Sequence, residues 1–372
     1  MTESKINPNA IVEHSITEDK IDEGFIKEFR DLQDSLSKVP VDLGDGDNSV
    51  SLKGGNHSWG LNSSAFGLGN TSYGWYSSSF GYSKRDIMEY FSLEEIDLNS
   101  DYSSEREAQI KNLILDKWKS ISNRDEKFSI AFGLGSFVSG RNCIALGQRS
   151  ISMGLDNISY GDNAASFGQL NEVKGNNGFA FGLENVVEGW CAGAEGEYNK
   201  AIGASSHAQG RYLMVQGIGA HAEGLGTEDY SKGAFGNYSH CEGGYNTTLA
   251  TYSHAEGANN TAEGLASHAE GRYNTAKGKF SHAEGKYTCT HNEAEHASGV
   301  YNESIESTDP SMATLYSVGV GSSSKRKNAY EVKQNGDVYI LGVGGFTGDN
   351  SKDSQSVQEV IQSLVNLINK SA

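Results

Sequence analysis

The sequence predicts an all-β fold, a solenoid in which coils of fourteen residues stack along one axis. Glycine recurs every seven residues through the runs 60–81, 133–224 and 236–299, and only Ala250 and Asn292 interrupt it. The residue two places before each glycine slot is always Ala, Ser, Val, Thr or Cys. A coiled coil shares the seven-residue period, but it needs large apolar side chains at its seam and would lose about 1 kcal/mol per glycine. The period therefore indicates a stacked β-structure.

Two seven-residue halves make one coil, and the later coils show this most clearly. Ser-His-Ala-Glu-Gly occurs at 253–257, 267–271 and 281–285, with half-coils such as Thr-Ala-Glu-Gly at 261–264 between them. We expect a short strand to end at each glycine, which can adopt a positive φ where the chain turns. Strand alternation then points the small residue two places earlier into a narrow core.

This repeat resembles that of trimeric autotransporter adhesins, whose heads are left-handed parallel β-rolls with fourteen-residue coils. The Ser-His-Ala-Glu-Gly form is similar to segments of bacteriophage tail and head fibre proteins, and the resemblance covers residues 56–300. It implies a left-handed β-roll and a homotrimer, because members of these families bury one flank of each roll against two neighbouring chains. The motif is specific for the architecture and leaves the ligand open.

Composition and charge agree with an elongated stack. The chain has 372 residues with 46 Gly and 3 Pro, which suits coils that contact only their neighbours. The formal net charge of −18 predicts a surface that repels nucleic acid and anionic membrane. The four cysteines lie in or beside repeat positions without zinc-binding spacing, so we expect free thiols in a protein that folds in a reducing cytoplasm.

Two expected absences favour the phage family over the autotransporters. Residues 1–7 have neither a basic nor an apolar signal region, so we expect no signal peptide. The last residues resemble neither a transmembrane helix nor the strands of an outer-membrane anchor, so we expect no membrane insertion. An autotransporter needs both elements, whereas a phage structural protein is assembled in the host cytoplasm and released by lysis.

Residues 1–40 precede the repeat and are predicted to form an attachment arm with an amphipathic helix. Its apolar residues recur at helical spacing. They are Ile21, Phe25, Phe29, Leu32 and Leu36. Two interpretations stay open: the helix docks onto a capsid or tail protein of the same virion, or it forms a trimeric bundle that starts the rod.

The β-roll is predicted in two segments separated by an insertion. Residues 41–81 form the first β-roll segment, and residues 128–300 form the main β-roll. Between them, residues 82–127 break the glycine period, and helical periodicity at 86–98 and 105–120 predicts a helical insertion that leaves from a turn. We expect Trp118 to pack this insertion onto the roll rather than to contact a partner.

The glycine period stops near residue 300. Residues 301–350 are predicted to form a C-terminal β-domain, because 315–321 and 329–340 alternate like strands and Asn335-Gly336 is a hairpin signal. This stretch also looks like a small β-domain near the ends of gut-phage fibre proteins. Residues 351–372 predict a short trimeric coiled coil that sets the register of the chains. Its seam is Val357, Ile361, Leu364 and Ile368.

Seven histidines stand three residues before a glycine slot. They are His207, His221, His240, His254, His268, His282 and His296. Strand alternation places each one on the same face as the residue just before the slot, so we expect an imidazole column beside a carboxylate column. The most regular part of this structural ladder is His254, His268, His282, Glu256, Glu270 and Glu284. We expect a hydrogen-bonded ladder at a subunit interface rather than a metal site, and no cofactor.

No catalytic motif stands apart from the periodic background. The glycine-rich run 342–345 lacks the context of a phosphate loop, and no Gly-x-Ser-x-Gly or paired-carboxylate motif is distinct from the repeat. We therefore predict a non-enzymatic homotrimeric fibre of a phage virion. Its N-terminus docks on the particle, on the head in preference to the tail, and its C-terminus points outward. The alternative is a tail-tip adhesin that binds a host receptor or a bacterial trimeric surface adhesin, with a host-surface glycan as the ligand of the tip.

Overall fold

The computed structural model describes residues 41–43, 50–52, 56–60, 62–68, 70–82, 91, 103–124, 127–341, 354–356, 361–363, 365–366 and 368–369. Most of this part of the chain is β-structure, and its main body is a parallel β-solenoid of about 16 turns with few helices. The predicted arm 1–40 with its five docking residues lies outside the described residues. Val357 and Leu364 of the predicted coiled coil also lie outside them.

Two sheets run along the solenoid, and a typical turn contributes one strand to each. The first sheet starts with β1 (Val41–Leu43) antiparallel to β2 (Val50–Leu52), and most of its solenoid strands have five residues. These are β4 (Ser64–Leu68), β6 (Ser78–Tyr82), β8 (Phe137–Arg141), β10 (Ile151–Leu155), β12 (Ala165–Gln169), β14 (Phe179–Leu183), β16 (Gly193–Glu197), β18 (His207–Arg211), β20 (His221–Leu225), β22 (His240–Gly244), β24 (His254–Ala258), β26 (His268–Arg272), β28 (His282–Lys286) and β30 (His296–Val300).

The second sheet consists of 14 short strands. They are β3 (His57–Ser58), β5 (Asn70–Ser72), β7 (Ser129–Ala131), β9 (Ile144–Ala145), β11 (Ile158–Ser159), β13 (Glu172–Val173), β15 (Val186–Val187), β17 (Lys200–Ala201), β19 (Met214–Val215), β21 (Gly233–Ala234), β23 (Thr247–Thr248), β25 (Thr261–Ala262), β27 (Thr275–Ala276) and β29 (Cys289–Thr290). Strands this short are stabilised by their neighbours in the stack, since each alone buries little apolar surface.

The pairing register confirms the fourteen-residue coil. Parallel β24 and β26 place His254 opposite His268, and β10 and β12 place Ile151 opposite Ala165. Equivalent residues of successive coils therefore stand directly above one another, and each position of the repeat becomes a column along the rod. At about 4.8 Å per strand, about 16 turns give a stack about 75 Å long.

The small residues two places before each glycine slot form the core, as predicted. Ala180 and Ala269 are completely buried, whereas Glu263 on the outer surface is exposed. One continuous cluster consists of Ala255, Ala262, Ala269, Ala276 and Ala283. The two sheets of a coil thus meet across a layer of methyl groups.

Replacing Ala269 by Leu should overpack this layer and destabilise each chain by about 1 to 3 kcal/mol. The same substitution at the exposed Glu263 should change the free energy of unfolding by less than about 0.5 kcal/mol, because nothing is displaced there. Chemical unfolding of both variants measures the difference. Equal tolerance at the two positions would contradict the assignment of Ala269 to the interior.

Glycine is required at the repeat slots for two different structural reasons, and only one of them was predicted from the sequence. Glycines within the long strands have positive φ, for example 119° at Gly154 and 92° at Gly257. Gly147, which follows a two-residue strand, is not among the residues with positive φ. There the reason is close approach, because a Cβ on Gly147 would lie 1.8 Å from the carbonyl oxygen of Gly161 in the next coil. The expectation of a positive φ at every slot is wrong for this second set.

The insertion contains helix α1 (Ser104–Ser120), within the stretch predicted to be helical. Ser103 caps it by accepting a hydrogen bond from the backbone N–H of Arg106. Ile110, Ile114 and Trp118 are buried against the roll, and the indole N–H of Trp118 donates to the carbonyl oxygen of Phe128 at 3.1 Å. Trp118 therefore packs the insertion onto the roll, as expected. Of the other predicted helical stretch, 86–98, only residue 91 is described.

The stack continues beyond the end of the glycine period. Strand β31 (Thr314–Val320) pairs in parallel with β30, and β32 (Asn328–Lys333), β33 (Val338–Leu341) and β34 (Ser354–Ser356) extend the same sheet antiparallel. The turn between β32 and β33 contains Asn335 and Gly336, so the predicted hairpin is confirmed. Among the described residues, no helix has both the length and the apolar character required to cross a membrane.

Candidate functional site: the histidine face

The outer surface of the first sheet from β18 to β30, here called the histidine face, carries the predicted ladder residues. Strand β26 shows how the repeat builds it: Ala269 points into the core, while His268 and Glu270 point outward and are half-buried. The same alternation in each coil aligns histidine above histidine and glutamate above glutamate. The structure therefore brings all six predicted ladder residues together on one surface.

Seven imidazole rings form one continuous column. Neighbouring ring centroids are 5.1, 5.0, 4.9, 4.6, 4.5 and 4.6 Å apart from His207 to His296. Aromatic rings close both ends: Phe179 lies 5.9 Å from the ring of His207, and Tyr316 contacts His296 edge-on at 5.1 Å. In the earlier coils of the same sheet, the neighbouring column, which later carries the glutamates, is aromatic: Phe167 and Phe181 stack at 4.8 Å.

Each glutamate lies between the imidazoles of two successive coils. Glu270 Oε1 is 3.4 Å from Nε2 of His282, and its Oε2 is 3.9 Å from Nε2 of His268. Glu284 Oε1 is likewise 3.4 Å from Nε2 of His296. These contacts are too long or too poorly directed for hydrogen bonds. The hydrogen-bonded form of the predicted ladder is therefore not present within a single chain.

The Nε2 atoms of the histidine column are shielded from solvent without a hydrogen-bond partner among the described residues. This holds for His207, His221, His240, His254, His268, His282 and His296. A buried polar atom left unpaired costs about 1 to 3 kcal/mol. Seven such atoms therefore lie in one line along the histidine face.

Three imidazoles of this column, those of His221, His254 and His268, have a lowered pKa. Burial lowers the pKa of His268 from its ordinary value of 6.5 to about 4, the neighbouring His282 and His254 lower it further, and Glu256 raises it only in part. Burial is also the main cause that lowers the pKa of His221 and of His254. The lowered pKa favours the neutral form of these three imidazoles.

We expect the protein to lose stability as the pH falls from about 6.5 toward 4. Because the pKa of His268 is lower in the folded chain than in the unfolded chain, the unfolded state takes up more protons across this window. Glu256 and Glu270 face the ring and oppose the effect only partly. Thermal unfolding at pH 7 and pH 5.5 measures it. In a variant with His254→Asn, His268→Asn and His282→Asn the pH dependence should shrink, and an unchanged dependence would assign it to other groups.

A row of exposed apolar side chains borders the histidine face. Each lies in a turn that leads into a histidine strand, and together we call them the apolar corner. They are Ile218, Tyr238, Tyr252, Leu265 and Phe280, with exposed fractions between 37% and 61%. Rows of this kind are unusual on the free surface of a soluble protein.

The opposite edge of the histidine face is basic and aromatic. Tyr273, Tyr287 and Tyr301 stack with centroid separations of 4.7 and 4.5 Å. Cations lie over these rings: Arg272 at 5.0 Å from Tyr273, Lys286 at 5.6 Å from Tyr287 and Arg326 at 6.0 Å from Tyr301. We call this the tyrosine edge; it is a positive strip on an acidic protein.

A ladder of asparagine side chains inside the roll was not predicted from the sequence. Its members are buried and fourteen residues apart over most of the roll: Asn157, Asn171, Asn185, Asn199, Asn246, Asn260 and Asn274. Asn185 donates through Nδ2 to the carbonyl oxygens of Phe181 at 3.0 Å and Gly196 at 2.8 Å, and its Oδ1 accepts from the backbone N–H of Asn199 at 3.0 Å. The fourteen-residue recurrence of Asn was the signal that could have revealed it.

The other predicted site residues are only partly described. Ile361 and Ile368 of the coiled-coil seam have helical backbone, and their side chains are 54% and 64% exposed. The five docking residues lie outside the described part of the chain. Within the described part of the chain, the residues with suitable geometry for metal binding are His240, Glu242, His254, Glu256, His268, Glu270 and His282.

No protein-family model matches the chain, and no curated protein matches it significantly.

Proposed function

We propose that this protein is a structural, non-enzymatic fibre of a bacteriophage virion. Three chains form left-handed β-rolls side by side in one rod, with the N-terminal arm on the particle and the C-terminal end outward. Attachment to the head is preferred and attachment to the tail comes next. The observation that carries this proposal is the line of seven unpartnered Nε2 atoms beside the apolar corner, on a solenoid of about 16 turns.

A second and a third copy of the chain are the occupants that fit this surface best. The surface runs along the rod axis with the period of the coil, so a parallel copy in the same register meets it at every turn. Apolar side chains of the corner lose solvent contact in such a pairing, and polar groups of the neighbour can bond to the imidazoles. After three copies the rotation between neighbouring chains closes into a ring, so no chain keeps an uncovered histidine face and assembly stops at a trimer.

The side-chain chemistry supports a structural role over an enzymatic one. Within the described residues, two possible nucleophiles lie next to His291: Ser304 Oγ is 3.1 Å from its Nδ1, and Cys289 Sγ is 3.7 Å from a ring nitrogen. The hydroxyl of Ser304 donates its proton to Glu295 Oε2 at 2.9 Å. Burial raises the pKa of the Cys289 thiol, which keeps it protonated and poorly nucleophilic. Glu295 nearby is completely buried and accepts hydrogen bonds from the backbone N–H groups of His291 and Asn292. This cluster closes the last regular coil.

Immunogold labelling of purified virions with antibodies against the full chain tests the assignment. Label along or around the head supports the head fibre. Label at the tail would assign the fibre to the tail, and the proposal of a virion fibre would stand. Purified particles that carry no label, while lysates contain the protein, would contradict a virion role.

The two ends of the chain should have separable tasks. Three identical rolls with one repeat can slip by a coil and still match small residues to small residues, so an aperiodic element must set their alignment. Deleting 354–372 should lower the yield of trimer on refolding, while trimers that do form still attach to particles. Deleting 1–40 should leave stable trimers that are absent from virions. Sedimentation and particle blots measure both, and full refolding without 354–372 would refute the registration role.

A tail-tip adhesin is the second candidate, and the tyrosine edge is the observation that favours it. Within the described residues, Arg272 and Lys286 form no ion pair with a carboxylate, so they are available to an acidic ligand. Arg326 donates to the carbonyl oxygens of Tyr287 and Asn302 and holds the end of this strip in place. An array of host-surface glycans probed with the full chain distinguishes the candidates. Binding that is lost in an Arg272→Ala, Lys286→Ala variant supports the adhesin, and no binding to any glycan opposes it.

A further inference from the structure

The histidine face contains three groups of side chains with the composition of a metal site. Each group consists of two histidines from successive coils and the glutamate between them, and all three ligand atoms of a group lie within 4.8 Å of one another. The groups are His240, Glu242 and His254; His254, Glu256 and His268; His268, Glu270 and His282. We propose that this face binds a divalent first-row transition metal such as Zn²⁺, through two imidazoles and one carboxylate for each ion.

The distances are close to those that a metal requires. Ligands about 2.0 to 2.1 Å from a tetrahedral Zn²⁺ lie about 3.3 Å from one another. In the third group, Oε1 of Glu270 is already 3.4 Å from Nε2 of His282, and Oε2 of Glu270 is 3.9 Å from Nε2 of His268. All three side chains of this group are half-buried on the outer surface of the sheet. A fourth position stays open for water, as in metal sites with three protein ligands.

The chemical nature of the ligands is also suitable. A metal binds an imidazole through the lone pair of a ring nitrogen, and each histidine of the three groups offers one such nitrogen. Their Nε2 atoms have no competing hydrogen-bond donor among the described residues. Imidazole with carboxylate suits Zn²⁺, Ni²⁺ and Cu²⁺ better than Ca²⁺ or Mg²⁺. The net charge of −18 favours cations in general, so it strengthens binding without selecting the metal.

The sharing of ligands sets the stoichiometry. His254 belongs to the first and second groups, and His268 belongs to the second and third. Since Nε2 of an imidazole has one lone pair, an ion in the second group excludes ions from the other two. The first and third groups share no residue and can fill together. The face therefore holds up to two ions per chain.

The test uses the full chain without a tag, titrated calorimetrically with ZnCl₂ at pH 7.5 and checked by elemental analysis after gel filtration. We expect about two ions per chain. A variant with Glu242→Gln, Glu256→Gln and Glu270→Gln keeps the imidazole column but should bind at least about tenfold more weakly. A matched variant with Glu188→Gln, Glu228→Gln and Glu263→Gln, which removes the same charge from exposed positions, should bind like the unaltered chain.

A single substitution provides a second, independent readout. His268→Asn removes one ligand from the second and third groups and leaves the first intact, so the stoichiometry should fall from two ions to one. It also keeps the proposal testable if the triple glutamate variant does not fold. The proposal is overturned if the unaltered chain shows no saturable binding, if both triple variants bind alike, or if His268→Asn leaves the stoichiometry unchanged.

Discussion

Gly147→Ala should destabilise each chain by about 3 kcal/mol or more, the largest effect expected from adding one methyl group. The new Cβ would lie 1.8 Å from the carbonyl oxygen and 2.3 Å from the carbonyl carbon of Gly161, both backbone atoms of the next coil. Neither atom can rotate away, so the coils must separate or shift, and overpacking of this kind costs at least about 1 to 3 kcal/mol. Chemical unfolding of the purified variant measures the loss.

Gly244→Ala is the matched control, because a Cβ at this position would have nothing within 4 Å. Its φ is not among the positive values, so alanine fits without strain, and reduced freedom of the unfolded chain should stabilise it by up to about 1 kcal/mol. If both glycines accept alanine equally, the tight spacing between coils at Gly147 is wrong.

Asn185→Ala should cost about 3 kcal/mol or more. The substitution leaves two buried carbonyl oxygens, of Phe181 and Gly196, and the backbone N–H of Asn199 without their partner. Each unpaired group costs about 1 to 3 kcal/mol, and partial relaxation keeps the total below the simple sum. Because Asn185 connects neighbouring coils, the loss should appear as a lower unfolding midpoint of the whole roll.

Two further substitutions serve as comparisons for Asn185→Ala. Asn176→Ala removes an exposed side chain that accepts one hydrogen bond, from the backbone N–H of Asp162, and should cost less than about 1 kcal/mol. Asn185→Thr should be intermediate, because Thr288 already replaces Asn in the ladder and donates through Oγ1 to the carbonyl oxygen of Glu284. An Asn185→Ala variant as stable as Asn176→Ala would show that the ladder contributes little.

The sequence predicts well the features that depend on regular spacing or on the local preferences of single residues. The coil length and the burial of Ala269 follow from spacing and side-chain size, because parallel pairing in register repeats every position at the same place. The hairpin at Asn335-Gly336 follows from the preference of these residues for tight turns. Trp118 was predicted to pack inward since a large aromatic side chain on a helix usually covers a core.

The features that the sequence does not reveal depend on distances between coils. Gly147 looks like any other slot glycine, and only the approach of Gly161 explains why it carries no side chain. The contact of Arg326 with Tyr301 joins the C-terminal strands to the last coils, and no periodic pattern predicts it. The missing partners of the histidine column are a property of the folded surface, since alternation predicts which face His268 occupies but not how its Nε2 is bonded.

Analytical ultracentrifugation of the full-length protein at neutral pH tests the central claim most directly, because it measures the mass of the assembly in solution. Three chains of 40.0 kDa predict a single species of about 120 kDa. A stable 40.0 kDa species at micromolar concentration would contradict the trimeric fibre.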